Sequence, residues 1–233
     1  MQSIPMGAAT AALFCVLTAG VADAHVSISS GPAAANKSQK ITFTIGHGCE
    51  NADTVAVRVE IPAAVSSVRA LRSDFGKPSI ERGAGNAISA VVWRKPDADV
   101  QDEDIGYYDL TIRARVGNVP FTQIYFKIHQ TCRTATGVET TVSWAALPGE
   151  AGEPAPAVAV VPTRQAGWNK YVVGANVSIA AADLPTYFGD ALIVWRGSAA
   201  YSANPITTAL IASTAGVASL TDLAPNDEIW VKY

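Results

Sequence analysis

A chain of 233 residues with a formal net charge of −3 and no basic cluster is not built to hold nucleic acid. Hydrophobic residues make up 49% of it and charged residues only 16%, a balance rich in Ala, Val, Thr and Ser that suits an exported β protein better than a cytosolic helical one. After residue 24 no apolar run approaches the roughly 18 residues needed to cross a bilayer, so no membrane span is expected in the mature chain.

Residues 1–24 read as a secretory signal peptide. An apolar stretch from Ala8 to Val21 ends in Ala22-Asp23-Ala24, the small-residue pattern that signal peptidase cuts after. The first seven residues carry no Lys or Arg, so the α-amine alone supplies the usual positive charge. Cys15 lies inside this leader, and bulky Phe14 before it argues against lipid attachment. Cleavage between Ala24 and His25 makes His25 the first residue of a periplasmic or secreted protein. An N-terminal histidine can chelate one metal ion through its α-amine and ring Nδ1, and two nitrogen donors suit Cu(II). The plainer reading is that any residue can follow a cleavage site.

From Val26 to Trp144 the pattern is β throughout. Ile41, Phe43 and Ile45 alternate with polar residues, as do Val55, Val57, Val59 and Ile61, which stop at Pro62. Ile88, Ala90 and Val92 repeat the period, followed by Leu110, Ile112 and Ala114, then Ile124, Phe126 and Ile128, then Val142 and Trp144. Period two with turn residues between marks half-buried strands. Seven or so short strands in about 120 residues predict an all-β fold, a Greek-key β-sandwich. Lys95 to Asp104 is a polar loop holding Asp97, Asp99, Asp102, Glu103 and Asp104. Such a loop either attracts a cation or is simply solvated.

Cys49 and Cys132 remain after the leader is removed. An even pair in an exported chain predicts a disulfide; the alternative is that both thiolates bind metal. Histidine is scarce, with His47 and His129 the only others besides His25. His47 sits in Gly46-His47-Gly48-Cys49-Glu50, either a turn or a second copper ligand. His129 points away from the Ile128 face by alternation. The chain holds no Gly-x-Ser-x-Gly, Gly-rich phosphate loop, His-Glu-x-x-His or Cys-x-x-Cys, so hydrolase and nucleotide readings lack support, and no enzymatic activity is expected.

Pro148, Pro154, Pro156 and Pro162 mark residues 149–166 as a Pro/Ala-rich linker. It is expected to separate a first domain, 25–148, from a small C-terminal domain, 167–233, mostly β or α+β. There Tyr171 to Ile179, Ala191 to Trp195 and Ile229 to Val231 read as strands, and Leu184 to Phe188 and Thr207 to Ser213 as short helices. Its aromatics include Trp168, Trp195, Trp230, Tyr187 and Phe188. They form either the core of a small domain or a ligand-stacking face.

Several of these stretches together resemble one family. They are His25-Val26-Ser27-Ile28, Gly46-His47-Gly48-Cys49-Glu50, Val57-x-Val59-x-Ile61-Pro62, Tyr108-Asp109-Leu110-x-Ile112, Gln130-x-Cys132 and Val142-Ser143-Trp144. The resemblance is to the YcnI-like copper-binding domain of bacterial exported proteins and covers roughly residues 25–148. It implies a β-sandwich and a mono-histidine brace. His25 would hold Cu(II) by amine and Nδ1, Asp109 would stand where the family carries a carboxylate, and Trp144 would pack near the metal. Asp109 is one methylene shorter than the Glu usual there, and Glu103 or Asp104 would substitute if their loop folds back. The C-terminal domain lies outside the resemblance.

The function expected on these grounds is a periplasmic Cu(II) chaperone or buffer, whose partners are the copper ion and a copper-accepting protein. Two other readings compete. One is a metal-independent interaction or adhesion module. The other is a copper oxygenase acting on polysaccharide, which would need His47 or His129 as a second ligand.

Overall fold

The computed structural model describes residues 26–49 and 52–233; His25, with the expected leader and its expected cleavage site at Ala24, lies outside them. The first unit is built of β1 (Ser27–Ile28), β2 (Ala33–Ala34), β3 (Ser38–Ile45), β4 (Asp53–Glu60), β5 (Val65–Ala70), β6 (Ser79–Arg82), β7 (Ile88–Arg94), β8 (Tyr108–Val116), β9 (Gln123–Tyr125), β10 (Ile128–Arg133), β11 (Glu139–Ala146), β12 (Glu153–Pro154) and β13 (Ala157–Val161). A four-stranded sheet, β1-β3-β8-β5, faces a six-stranded one, β12-β11-β10-β4-β7-β6. The result is the expected all-β sandwich.

The period-two pattern explains the packing. Ile41, Phe43 and Ile45 of β3, Val57 and Val59 of β4, and Leu110, Ile112 and Ala114 of β8 are all buried in one shared core. Their alternate neighbours face outward, as a two-sided sheet requires. Phe43 and Phe126 meet edge to face there, with ring centroids 5.1 Å apart.

Strand β7 departs from the alternation read in the sequence. Val91 and Trp93 enter the core, while Val92 lies on the outer face with Ser79 opposite it. The register steps once on β6, from Glu81 to Arg82, while β7 steps from Ala90 to Ile88. Ser89 is therefore an extra residue, a β-bulge, and an insertion of one residue exchanges the two faces. Ile88 joins the core from one side of the bulge, and Val91 and Trp93 from the other.

The run Ile124 to Ile128 is likewise divided. β9 pairs with β13, whereas β10 pairs with β4 and β11, so the chain changes sheets between them. The stretch 149–166, expected as a linker, carries β12 and β13; β13 forms a three-stranded sheet, β2-β13-β9, against the sandwich. Only residues 162–167 remain between the last strand of the first unit and the first of the second.

The second unit contains β14 (Trp168–Val172), α1 (Leu184–Phe188), β15 (Ile193–Arg196), β16 (Ala199–Tyr201), α2 (Pro205–Ser213), β17 (Ala218–Ser219) and β18 (Glu228–Lys232). Its strands form one sheet, β14-β18-β15-β16-β17. The first strand ends at Val172, short of the expected Ile179, because Gly174 starts a turn closed by Val177 N–H on its carbonyl. Helix α2 begins beyond Asn204, whose side chain accepts from the Ile206 N–H at 2.9 Å, and Pro205 takes the first position, where no donor is required. The core gathers Tyr187, Phe188, Val194, Ile229 and Val231, and reaches across to Phe121 of the first unit. Phe121, held at φ +64°, turns its ring into this second core and meets Tyr171, Tyr187 and Phe188.

Candidate metal centre

One end of the sandwich collects most of the residues singled out by the sequence. Strand β1 runs antiparallel to β3, with Ser27 opposite Thr44. The start of β1 therefore lies beside the end of β3, which leads into Gly46-His47-Gly48. β3 is in turn antiparallel to β8, with Ile45 opposite Tyr108, so residues 104–107 arrive at the same end. Val26, the residue bonded to His25, is buried in the core that also holds Tyr108 and Trp144.

The loop before β8 folds back here. Asp104 is nine-tenths buried, with Oδ2 3.9 Å from His47 Nδ1. Its Oδ1 is buried and has no hydrogen-bond partner among the described residues. The approach is close enough that a Cβ on Gly48 would sit 3.1 Å from the Asp104 carboxyl carbon and 1.8 Å from the Ala52 carbonyl oxygen. Gly48 is therefore needed for its lack of a side chain. Glu103, one residue earlier, points into solvent.

A chain of buried hydrogen bonds joins this corner to Trp144. The Trp144 indole donates to Gln130 Oε1 at 3.1 Å. Gln130 donates through Nε2 to the His47 carbonyl and to the Thr54 hydroxyl, each at 2.8 Å. Cys49 and Cys132 are bridged, with Cα atoms 5.8 Å apart, which ties the His47 loop to β10. Thiolate metal ligation is thereby ruled out for this pair.

Asp109 is placed differently. It lies on the exposed face of β8, where the Thr44 hydroxyl donates to its Oδ1 at 2.6 Å; the Thr44 and Ser29 hydroxyls are hydrogen-bonded at 2.9 Å. Trp144 is on the other sheet and enters the core, so these two residues are not brought together. His129 lies on the outer face of β10, its Nδ1 2.9 Å from the Ser143 hydroxyl and its Nε2 3.2 Å from Glu60 Oε1. Among the described residues, no group of three or more His, Cys, Asp or Glu is positioned to hold a metal ion.

Next to Asp104 sits a feature the sequence did not reveal. The Lys95 ammonium is buried and donates to both oxygens of buried Asp53, at 2.6 and 2.7 Å, and to the Tyr108 hydroxyl at 2.6 Å. Tyr108 donates to Asp53 at 3.0 Å, and the Gln101 N–H caps the other carboxylate oxygen at 2.9 Å. Burial first, and then the hydrogen bond to Asp53, push the Tyr108 phenol well above its ordinary range. The ammonium also lies over the Tyr108 and Phe75 rings, 4.3 and 5.2 Å from their centroids. A buried ion pair with its hydrogen bonds filled fixes geometry more than it adds stability. Here it anchors both ends of the 96–107 loop that delivers Asp104. The signal for it was a charged residue beside each of two adjacent apolar-rich strands, Asp53 at the start of β4 and Lys95 just past the end of β7.

A β-sandwich with one polar, disulfide-tied end is the class of protein these features define. Within it, the chain belongs to the family described as "Domain of unknown function (DUF1775)", which matches residues 25–161, and this is the family to which the YcnI-like resemblance pointed. No curated protein matches the chain. Among solved structures, an uncharacterised protein from Nocardia farcinica with an immunoglobulin-like fold shares 22% identity, covering 58% of this chain and 97% of its own, at a TM-score of 0.47. The third cohesin ScaC of Acetivibrio cellulolyticus, solved with the ScaB dockerin, shares 14% over 58% of this chain and 96% of its own, at 0.32. BcpA, the major pilin subunit of Bacillus cereus, shares 12% over 88% of this chain and 54% of its own, at 0.36. These similarities say nothing about function.

Proposed function

We propose that this chain is exported and binds Cu(II) through its mature N-terminal histidine, with Asp104 as the carboxylate partner, and that it carries or buffers copper rather than transforming a substrate. The observation that carries this reading is the Asp104 carboxylate: nine-tenths buried, with Oδ1 unpartnered among the described residues, at the sandwich end where β1 begins. A buried carboxylate oxygen without a donor is costly unless a cation meets it. The chain immediately before Val26 can supply one, as the His25 amine and imidazole with the metal they hold. Two nitrogens and a carboxylate oxygen suit tetragonal Cu(II). The Gln130 and Trp144 hydrogen bonds hold the His47 loop against this corner. His129 is engaged on the outer face, so a second histidine ligand could come only from His47, whose Nδ1 already lies 2.7 Å from the Gly48 carbonyl oxygen; we read the site as a single-histidine one, a carrier rather than an oxygenase.

Asp104 replaces Asp109 in this assignment because Asp109 is exposed and already accepts from Thr44. The experiment is a Cu(II) titration of mature protein beginning at His25, followed by calorimetry and electron paramagnetic resonance. Asp104→Asn is expected to weaken binding at least tenfold and alter the spectrum, and Asp109→Asn to change affinity less than threefold. The reverse order would return the ligand role to Asp109.

A further inference from the structure

All three tryptophans of the second unit line one open face of its sheet. Trp195 on β15 and Trp230 on β18 are directly opposite one another. Trp168 on β14 pairs with Lys232, and Lys170 on β14 pairs with Trp230. Alternation puts Trp168, Lys170, Trp230, Lys232 and Trp195 on the same side, away from the core formed by Val194, Ile229 and Val231. With Gly197, the three indoles line a shallow cleft of about 440 Å³. Trp168 is 52% exposed and Trp230 45%. A small domain short of core would be expected to bury rings of this size, so a cluster of them at the surface marks a binding face.

The chemistry of the face identifies an occupant. Indole rings side by side on a flat sheet offer planar apolar surface, which suits the C–H face of a sugar ring, and each carries an N–H donor for a hydroxyl. Neighbouring strands lie about 4.8 Å apart, so the indoles on three adjacent strands form a track longer than a single sugar ring. Lysines are interleaved with the rings: Lys170 Nζ is 5.8 Å from the Trp230 ring centroid and Lys232 Nζ is 5.8 Å from that of Trp168. Lys170 is paired with Glu228 at 2.7 Å, which leaves this face net positive on a chain whose net charge is −3. Positive charge beside stacking surface selects a ligand bearing carboxylates. A lipid surface is favoured less, because these indoles stand on a sheet face lining a cleft rather than at a protruding edge.

We propose that the Trp168–Trp230–Trp195 face binds an acidic polysaccharide, its sugar rings stacked on the indoles and its carboxylates met by Lys232 and Lys170. This is independent of copper and extends the chain's role to holding the first unit at an anionic glycan.

The test uses the full mature protein in metal-free buffer, titrated with a polygalacturonate, with a neutral glucan of matched length, and with vesicles of equal phosphatidylglycerol and phosphatidylcholine, and read by tryptophan fluorescence and calorimetry. The polyuronate is expected to bind, the neutral chain at least fivefold more weakly. Trp230→Ala is expected to lower polyuronate affinity at least tenfold, and Lys170→Ala with Lys232→Ala several-fold, with unfolding midpoints unchanged because these side chains are exposed. A thermal melt identifies any variant that fails to fold, in which case Trp168→Ala serves in its place. Polyuronate affinity that is absent, or untouched by loss of the indoles, overturns the proposal. So does binding to vesicles alone, or concentration-dependent dimerisation that the tryptophan variants abolish.

Discussion

The two units use the same residue in opposite ways. In the first, Trp93 and Trp144 are buried, and each indole N–H is matched to an acceptor: Leu71 carbonyl at 3.0 Å for Trp93 and Gln130 Oε1 for Trp144. In the second, Trp168, Trp195 and Trp230 line an outer face. The first unit has a disulfide and a buried ion pair at one end, so its polar groups are fixed in place. The second has neither among the described residues, and its core is completed by a borrowed ring, Phe121. The difference teaches where rigidity is concentrated. It lies at the sandwich end that presents Asp104, as the proposed metal corner would require, while the second unit presents surface.

This contrast can be broken most severely at the bridge. The disulfide closes a sequence separation of 83 residues, so Cys49→Ser with Cys132→Ser is expected to cost about 4 kcal/mol on the chain-entropy model. Urea denaturation should show that loss as a lower midpoint of the one transition the two units share through Phe121. A smaller but comparable effect is expected at the ion pair. Asp53→Asn strands a buried ammonium and is expected to cost about 3 kcal/mol, together with freer exchange of backbone amides in residues 96–107. If that loop keeps its protection, the pair does not anchor Asp104.

The join between the units comes next. Phe121→Ala removes a buried ring from the second core and is expected to cost about 3 kcal/mol and to separate one unfolding transition into two. Brief proteolysis should then cut first within residues 162–167, where Thr163, Arg164 and Gln165 are exposed. The smallest effect is expected on the outer face of the six-stranded sheet. There the hydrogen bond from Arg58, with a lesser one from His129, holds the Glu60 carboxyl below its usual range. A lowered carboxylate pKa contributes stability that is present above the unfolded value and lost as pH falls through the folded one. The Glu60 side chain is about two-fifths exposed, so solvent screening limits the effect, and Glu60→Gln should change stability at pH 7 by less than about 1 kcal/mol. Its residual effect should fade as pH falls through the folded-state value of the wild-type carboxyl.

Much of the first unit could be read from the sequence because a sheet with one buried face imprints period two on the chain. Ile41-Phe43-Ile45 and Leu110-Ile112-Ala114 needed no further information. The β7 face could not be read because Ser89 as a bulge leaves no mark in composition, yet exchanges the faces. Strand β13 was hidden by the prolines around it. Pro156 and Pro162 flank Ala157–Val161 and mark its ends, since proline is tolerated at strand margins. Of the candidate site, the cysteine pair was legible from its even number and the expected export of the chain. The place of Asp104 was not, because it depends on a loop folded by Lys95, Asp53 and Tyr108, partners 42 and 55 residues apart along the chain for two of the contacts. In the second unit both short helices were legible, though α2 starts at Pro205 rather than Thr207, because Asn204 caps it where the sequence suggested a turn. Which aromatics face outward follows from strand register, and the sequence alone did not settle it.

The central claim rests on the terminal nitrogen, and one comparison tests it directly. Mature protein beginning at His25 and the same protein acetylated on its α-amine would each be titrated with Cu(II). Acetylation keeps the imidazole and Asp104 but removes the amine as a donor. A single tight site with a tetragonal paramagnetic spectrum is expected in the free-amine protein, weakened at least a hundredfold and spectrally changed by acetylation. Equal affinity and an unchanged spectrum in the acetylated protein would contradict the account, and leave a β-sandwich whose mature chain merely happens to begin with histidine.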